Sequence, residues 1–145
     1  MTSTNAASKK AREVYHDLMV KAWVDGDLSV LDEYIVADTY DYSPLHPPEM
    51  GTKGFAGIIK AFRGALSDVK LEHSDVAEGD IVTHFWKLTG VHDKGPLFGS
   101  KPDGKTVTLS GISAVRVKDG KVVGRWSQLD IYGLLVQLGT IPKVL

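Results

Sequence analysis

At Val69 the spacing of apolar residues changes from three to four down to two, and that change decides what this chain can fold into. Before it, apolar side chains recur at helical spacing. After it, Val69, Leu71 and His73 alternate with polar residues, as in a strand with one buried face. Gly79-Asp80 turns the chain, and Ile81 to His92 reads as a second strand with Val82, His84, Trp86 and Leu88 on one face. Helices first and strands afterwards is an α+β pattern, with the helices gathered on one side of the sheet.

The last third completes the sheet. Thr106 to Asp130 reads as two long strands rich in Val, Ile and Thr, joined at Lys118-Asp119-Gly120. Asp and Gly tolerate the positive φ that a tight hairpin requires. Gly133 to Gly139 then reads as a short apolar helix stopped by glycine. Asp93 to Lys105, rich in Gly and Pro, is too long for a tight turn and has the character of a loop over a pocket mouth.

In the first half, Ser8 is positioned to cap a helix reaching about Val24. Its broad apolar face holds Val14, Leu18 and Ala22, with Tyr15, Met19 and Trp23 beside them. Residues 1–7 are expected to fray. Asp25-Gly26-Asp27 breaks this helix, and Asp27 can cap a second one, Leu28 to Ile35, with Leu28, Leu31 and Ile35 inward. Ala37 to Met50 is irregular and proline-rich, a loop with at most a short edge strand. A third helix starts at Thr52 and turns Phe55, Ile58, Ile59, Phe62 and Leu66 to one side. The expectation is three helices on a curved four-stranded antiparallel sheet, closed by a short C-terminal helix, as a single domain over residues 1–145.

Composition narrows the function classes. The net charge is −1 and no basic stripe stands out, which argues against nucleic acid. No apolar run is long enough to span a bilayer, and Met1 to Lys10 lacks the apolar core of a secretory signal. There is no cysteine, so disulfides, thiolate metal sites and cysteine nucleophiles are excluded together. A cytoplasmic protein is expected. No pair of histidines has metal-ligand spacing joined to a carboxylate, so no metal site is expected.

Several segments, taken in order, resemble the SnoaL-like polyketide cyclase family of the NTF2-like cone fold. They are Asp32-Glu33-Tyr34-Ile35, His46 with Gly51-Thr52-Lys53-Gly54-Phe55, Glu78-Gly79-Asp80 and Gly90-Val91-His92. Val115 to Lys121, Trp126 to Asp130 and Gly133 to Gly139 complete the set. The resemblance spans nearly the whole chain. It implies ring closure of a polyketide by intramolecular aldol condensation, with no metal and no organic cofactor, in an enclosed pocket. It also implies an acidic side chain on the last strand that takes a proton from carbon and returns one to oxygen. This chain departs from that pattern, with Ser127 directly after Trp126 where the family has its acid, and Ser113 where it has the facing histidine. Serine has no usable pKa for that role near neutrality.

The remaining acid/base candidates are Asp130, His46 and His92. Asp130 is the only carboxylate of the last strand, where alternation groups it with Trp126 and Gln128. It either exchanges protons in an apolar cup or N-caps the final helix, and the two roles are compatible. His46 lies in the proline-rich loop and His92 at a strand end, while His16 and His73 read as surface positions. Tyr15, Trp23, Phe62, His84, Trp86, Ser113, Ser127 and Gln128 are the candidates for contact with substrate. Arg116 and Arg125 read as solvated, able to hold an enolate only if turned inward.

Three readings follow. One is a cofactor-independent acid/base enzyme, a cyclase or isomerase acting on an apolar cyclic carbonyl compound. Another is a non-catalytic small-molecule binding protein. The third is an accessory component of an oxygenation system. Apolar residues on both faces of the strands predict a homodimer or higher homo-oligomer through the sheet.

Overall fold

A computed structural model describes the backbone of residues 2–45 and 51–145, and side chains from residue 6 onward. The element order is α1 (Thr2–Met19), a π-helical turn (Val20–Val24), α2 (Ser29–Tyr34), β1 (Ile35–Tyr42) and α3 (Gly51–Ala65). It continues with β2 (Leu66–Glu78), β3 (Ile81–His92), β4 (Thr106–Lys118), β5 (Lys121–Leu129) and α4 (Ile131–Gln137).

The expected α+β class is present, but the sheet has five strands in the order β1-β5-β4-β3-β2. The meander from β2 to β5 is antiparallel, whereas β1 joins β5 in parallel and makes the sheet mixed. The edge strand is eight residues long; Ile35, expected to end the second helix, opens it, and Ala37 to Tyr42 come from the segment expected to be mostly irregular. An edge suits this strand, because Pro44 follows its end with one residue between and an edge strand needs only one row of backbone partners.

Helix α1 starts ahead of Ser8, whose hydroxyl donates instead to the Gly79 carbonyl at the β2–β3 turn. Asp27 does not cap α2 directly; its Oδ1 accepts from the backbone and hydroxyl of Ser29. Those two bonds hold its carboxyl below the usual range. Leu66 opens β2 rather than closing α3.

The hairpin residues Asp119 and Gly120 have φ of 51° and 75°, the mirror-image turn that matches strand twist. One buried apolar cluster lies between the helices and the inner face of the sheet, with Tyr15, Leu18, Phe55, Ile59 and Phe62 facing Val82, Leu88, Val115 and Val122.

One irregularity positions the site. Val122 and Arg125 are three apart, yet both are buried on the inner face, opposite Val117 and Val115. Two positions of odd spacing share a face only if one residue is extra. The register accordingly shifts between Val117↔Val122 and Arg116↔Gly124, leaving Val123 as a bulge. The bulge turns Arg125 and Ser127 inward and Trp126 and Gln128 outward.

Candidate active site

A narrow cleft lies between the helices and the sheet, with a cavity volume of about 20 Å³, close to what a single water needs, so a larger guest enters only as the lining side chains move apart. Met19 and Trp23 line it from the end of α1 and the π-turn, and Phe55 and Ile58 from α3. Leu71, Trp86, Leu88, Leu109 and Leu129 come from the sheet, with Ser43 and Arg125 as its polar members. An apolar hollow with a few polar groups is the usual form of a small-molecule site.

Trp86 is held in place by its neighbours. Its indole N–H donates to Ser113 Oγ at 3.0 Å, and its ring lies over Gly111 on the next strand. A Cβ on Gly111 would come within 2.8 Å of that ring and 2.5 Å of the Gln128 carbonyl, so only glycine fits there. Trp23 packs at 5.9 Å from Phe62 and 6.2 Å from Phe55, ring centre to ring centre.

Arg125 supplies the charge. Its Nη1 donates to Asp41 Oδ1 at 2.6 Å, the two side chains being 6% and 2% exposed. Residues 41 and 125 face each other across the parallel β1–β5 pair, so backbone register sets the contact. The guanidinium also lies 3.9 Å above the centre of the Phe55 ring. Two buried N–H groups on cavity-lining residues, Arg125 Nε and Trp23 Nε1, have no acceptor among the described residues. Buried donors are rarely left so, and a ligand oxygen would satisfy them.

Beneath Arg125 a polar row crosses the inner face, in which Asp75, His84, Ser113 and Ser127 are successive partners on four strands. Ser113 and Ser127 share a 2.8 Å hydrogen bond. Tyr15 covers the row from α1, with its ring 4.8 Å from His84. Its hydroxyl makes no well-formed hydrogen bond among the described residues. Burial raises the Tyr15 pKa, and the nearby Arg125 and Ser113 offset only part of that. Burial likewise lowers that of His84, against the opposing pull of Asp75.

The sequence-derived candidates separate into groups. Trp23 and Trp86 line the cavity. Tyr15, His84, Ser113 and Ser127 form the polar floor, and Phe62 backs Trp23. Asp130 and Gln128 lie on the exposed side rather than inside. Asp130 Oδ1 accepts from the Gly133 amide and caps α4, which is the capping role weighed for it. His92 is buried, but its Nε2 bonds the Gly95 carbonyl and its backbone holds Asp103, Gly104 and Lys105, so it anchors the 93–105 loop. His46 lies outside the described residues. His73, expected at the surface, is half-buried on the inner face beside Asp75.

Arg125, expected in solvent, is the main correction. Asp41 was not singled out at all. Alternation carried back from Trp126 gives Arg125 its inward phase, but the signal that Asp41 partners it lies in a parallel pairing that sequence does not display. Arg116 is on the other face, bound to Asp80 at 3.0 Å.

A family model described as SnoaL-like polyketide cyclase matches residues 13–138. The chain is 32% identical over 124 residues to the nogalonic acid methyl ester cyclase of Streptomyces nogalater, covering 83% of this chain and 92% of that protein. Among solved structures it is similar to AclR from Streptomyces galilaeus, a proposed hydroxylase. That match has TM-score 0.82 and 29% identity, over 95% of this chain and 86% of AclR. It is also similar to IdmH from Streptomyces antibioticus, a proposed polyketide cyclase, with TM-score 0.73 and 25% identity over 89% and 98% of the two chains.

Proposed function

The chain belongs to the SnoaL-like polyketide cyclase family, and on that premise we propose that it catalyses a cyclase-type ring closure, or a related isomerisation, on an apolar cyclic carbonyl compound. The observation that carries this reading is a pair of buried donors on the wall of a mostly apolar cleft, Arg125 Nε and Trp23 Nε1, that have no acceptor among the described residues. A carbonyl oxygen is the acceptor they lack. As that oxygen becomes an enolate, the fixed guanidinium gains attraction to it, and a donor favouring the charged form lowers the barrier.

Asp41 is the one buried carboxylate among the described residues; it does not itself line the cleft but adjoins it through Arg125, whose Nη1 it accepts from at 2.6 Å, and in this proposal it has the role of base. It takes the proton from the carbon next to the carbonyl. The enolate carbon then attacks a second carbonyl carbon within the same molecule. One C–C bond forms, the attacked C=O becomes an alkoxide, and the proton returns to that oxygen. No organic cofactor is needed for this balance. Tyr15, Ser113 and Ser127 stay neutral and shape the floor.

The first compound to test is nogalonic acid methyl ester, which the relative's name connects with cyclisation. Trp23→Phe keeps the ring and removes the donor, and Arg125→Lys keeps the charge and removes Nε. Each is expected to weaken binding and slow turnover by about 100-fold or more, as loss of one oxyanion donor does. Full activity in both variants would remove the donors from the reaction.

A second reading rests on the Trp86–Ser113–Ser127 network, which is neutral at the positions where the family has its acid and histidine. On that reading the chain binds a similar compound without converting it, alone or beside an oxygenating enzyme. Stoichiometric binding with no turnover by the wild type would favour it.

A further inference from the structure

Three of the five histidines converge at the β2 end of the polar row, outside the lining of the cleft. His84 and Asp75 oppose each other on β3 and β2, and His73 precedes Asp75 by two residues on the same face. Both imidazoles turn Nδ1 to one carboxylate oxygen: His73 Nδ1 is 3.0 Å from Asp75 Oδ1, and His84 Nδ1 makes a short contact with the same atom. One ligand atom from each of the three residues falls within 4.8 Å of the others. On the far side of the His73 ring, Nε2 lies 3.1 Å from His16 Nδ1 on α1. A surface depression lined by Arg12, Glu13, His16, Asp17 and Asp75 opens onto the group.

We propose that His73, Asp75 and His84 form a site for a divalent transition-metal ion of the zinc type, whose remaining coordination position faces this depression. Two imidazoles and a carboxylate are donors that favour zinc, cobalt, nickel or copper over magnesium or calcium. A tetrahedral ion with bonds of about 2.0–2.2 Å holds its ligand atoms about 3.3–3.6 Å apart, so on binding His84 Nδ1 would draw back from Asp75 Oδ1 by roughly 1 Å while the three residues keep their places on β2 and β3. Three protein ligands with one position open is a common arrangement for zinc.

The outer contact fits as well. An imidazole bound through Nδ1 keeps its proton on Nε2, and here that proton has an acceptor in His16. The ion would tie β2 to β3, and through His16 to α1. None of the three ligands lines the cleft, so the site stands whether or not the proposed reaction is correct.

The test is titration of the tag-free, chelator-treated chain with zinc by calorimetry and with cobalt by visible absorption. One equivalent per chain should bind, with the absorption of tetrahedral cobalt, and the melting temperature should rise with zinc concentration. His73→Gln and Asp75→Asn should weaken binding by about 100-fold and abolish the rise in melting temperature, while His16→Gln should weaken it by about tenfold. Should Asp75→Asn fail to fold, His73→Gln, at a partly exposed position, gives the same reading. No binding at stoichiometric concentration, or equal binding by wild type and His73→Gln, would overturn the proposal.

Discussion

The Arg125–Asp41 pair is buried on both sides, so each charge depends on the other. Arg125→Met should cost about 3–5 kcal/mol, because it removes the guanidinium bonded to a buried carboxylate. Arg125→Met with Asp41→Leu should recover part of that loss, measured by denaturant unfolding. Tyr15 gives a pH dependence. Its folded pKa is raised above the ordinary 10.0, so the folded phenol stays protonated where the unfolded chain loses its proton. Above that pH the unfolded state binds fewer protons, and stability falls as pH rises. Tyr15→Phe should flatten this alkaline fall and leave stability at neutral pH equal or higher, since the hydroxyl has no well-formed bond to lose. Asp130 was legible in sequence as a cap, because a carboxylate just before an apolar helical stretch has that use. Asp130→Asn should therefore keep both fold and turnover, while Asp130→Ala should cost about 1 kcal/mol.

The elements were legible wherever a period persisted. Strand β3 shows its burial alternation over its whole length, and the Asp119-Gly120 turn announced itself by residue type. Strand β1 was not legible. Its buried residues, Ile35, Thr39 and Asp41, share one phase, but Ala37 between them is exposed, and its register with β5 is itself irregular. Two of those residues are polar, so hydrophobic patterning could not reveal them. Thr39 is buried because its hydroxyl bonds the Val122 carbonyl, and Asp41 because Arg125 is beside it. At this scale Gly111 is the critical position. Gly111→Ala should push Trp86 off its place and loosen its bond to Ser113, lowering stability by about 1–3 kcal/mol and shifting tryptophan fluorescence.

The whole molecule buries one face of its sheet and leaves the other partly apolar. Tyr40, Val76, Ile81, Phe85, Ile112 and Trp126 are all exposed, and Phe85 faces Ile112 across neighbouring strands. We propose that this outer face joins two copies of the chain. Light scattering at micromolar concentration should give at least a dimer, and Phe85→Lys with Ile112→Lys should give a folded monomer. No helix among the described residues is long and apolar enough to cross a membrane. The proposed reaction places a carbonyl guest on the inner face, with its oxygen at Arg125 and Trp23 and its acidic carbon near Asp41. The most direct measurement is deuterium uptake from heavy water at the carbon beside the carbonyl of nogalonic acid methyl ester. Wild-type protein should accelerate the uptake well above buffer, and folded Asp41→Asn should bind the compound yet exchange at the buffer rate. Exchange by Asp41→Asn as fast as wild type, or by wild type no faster than buffer, would contradict the account.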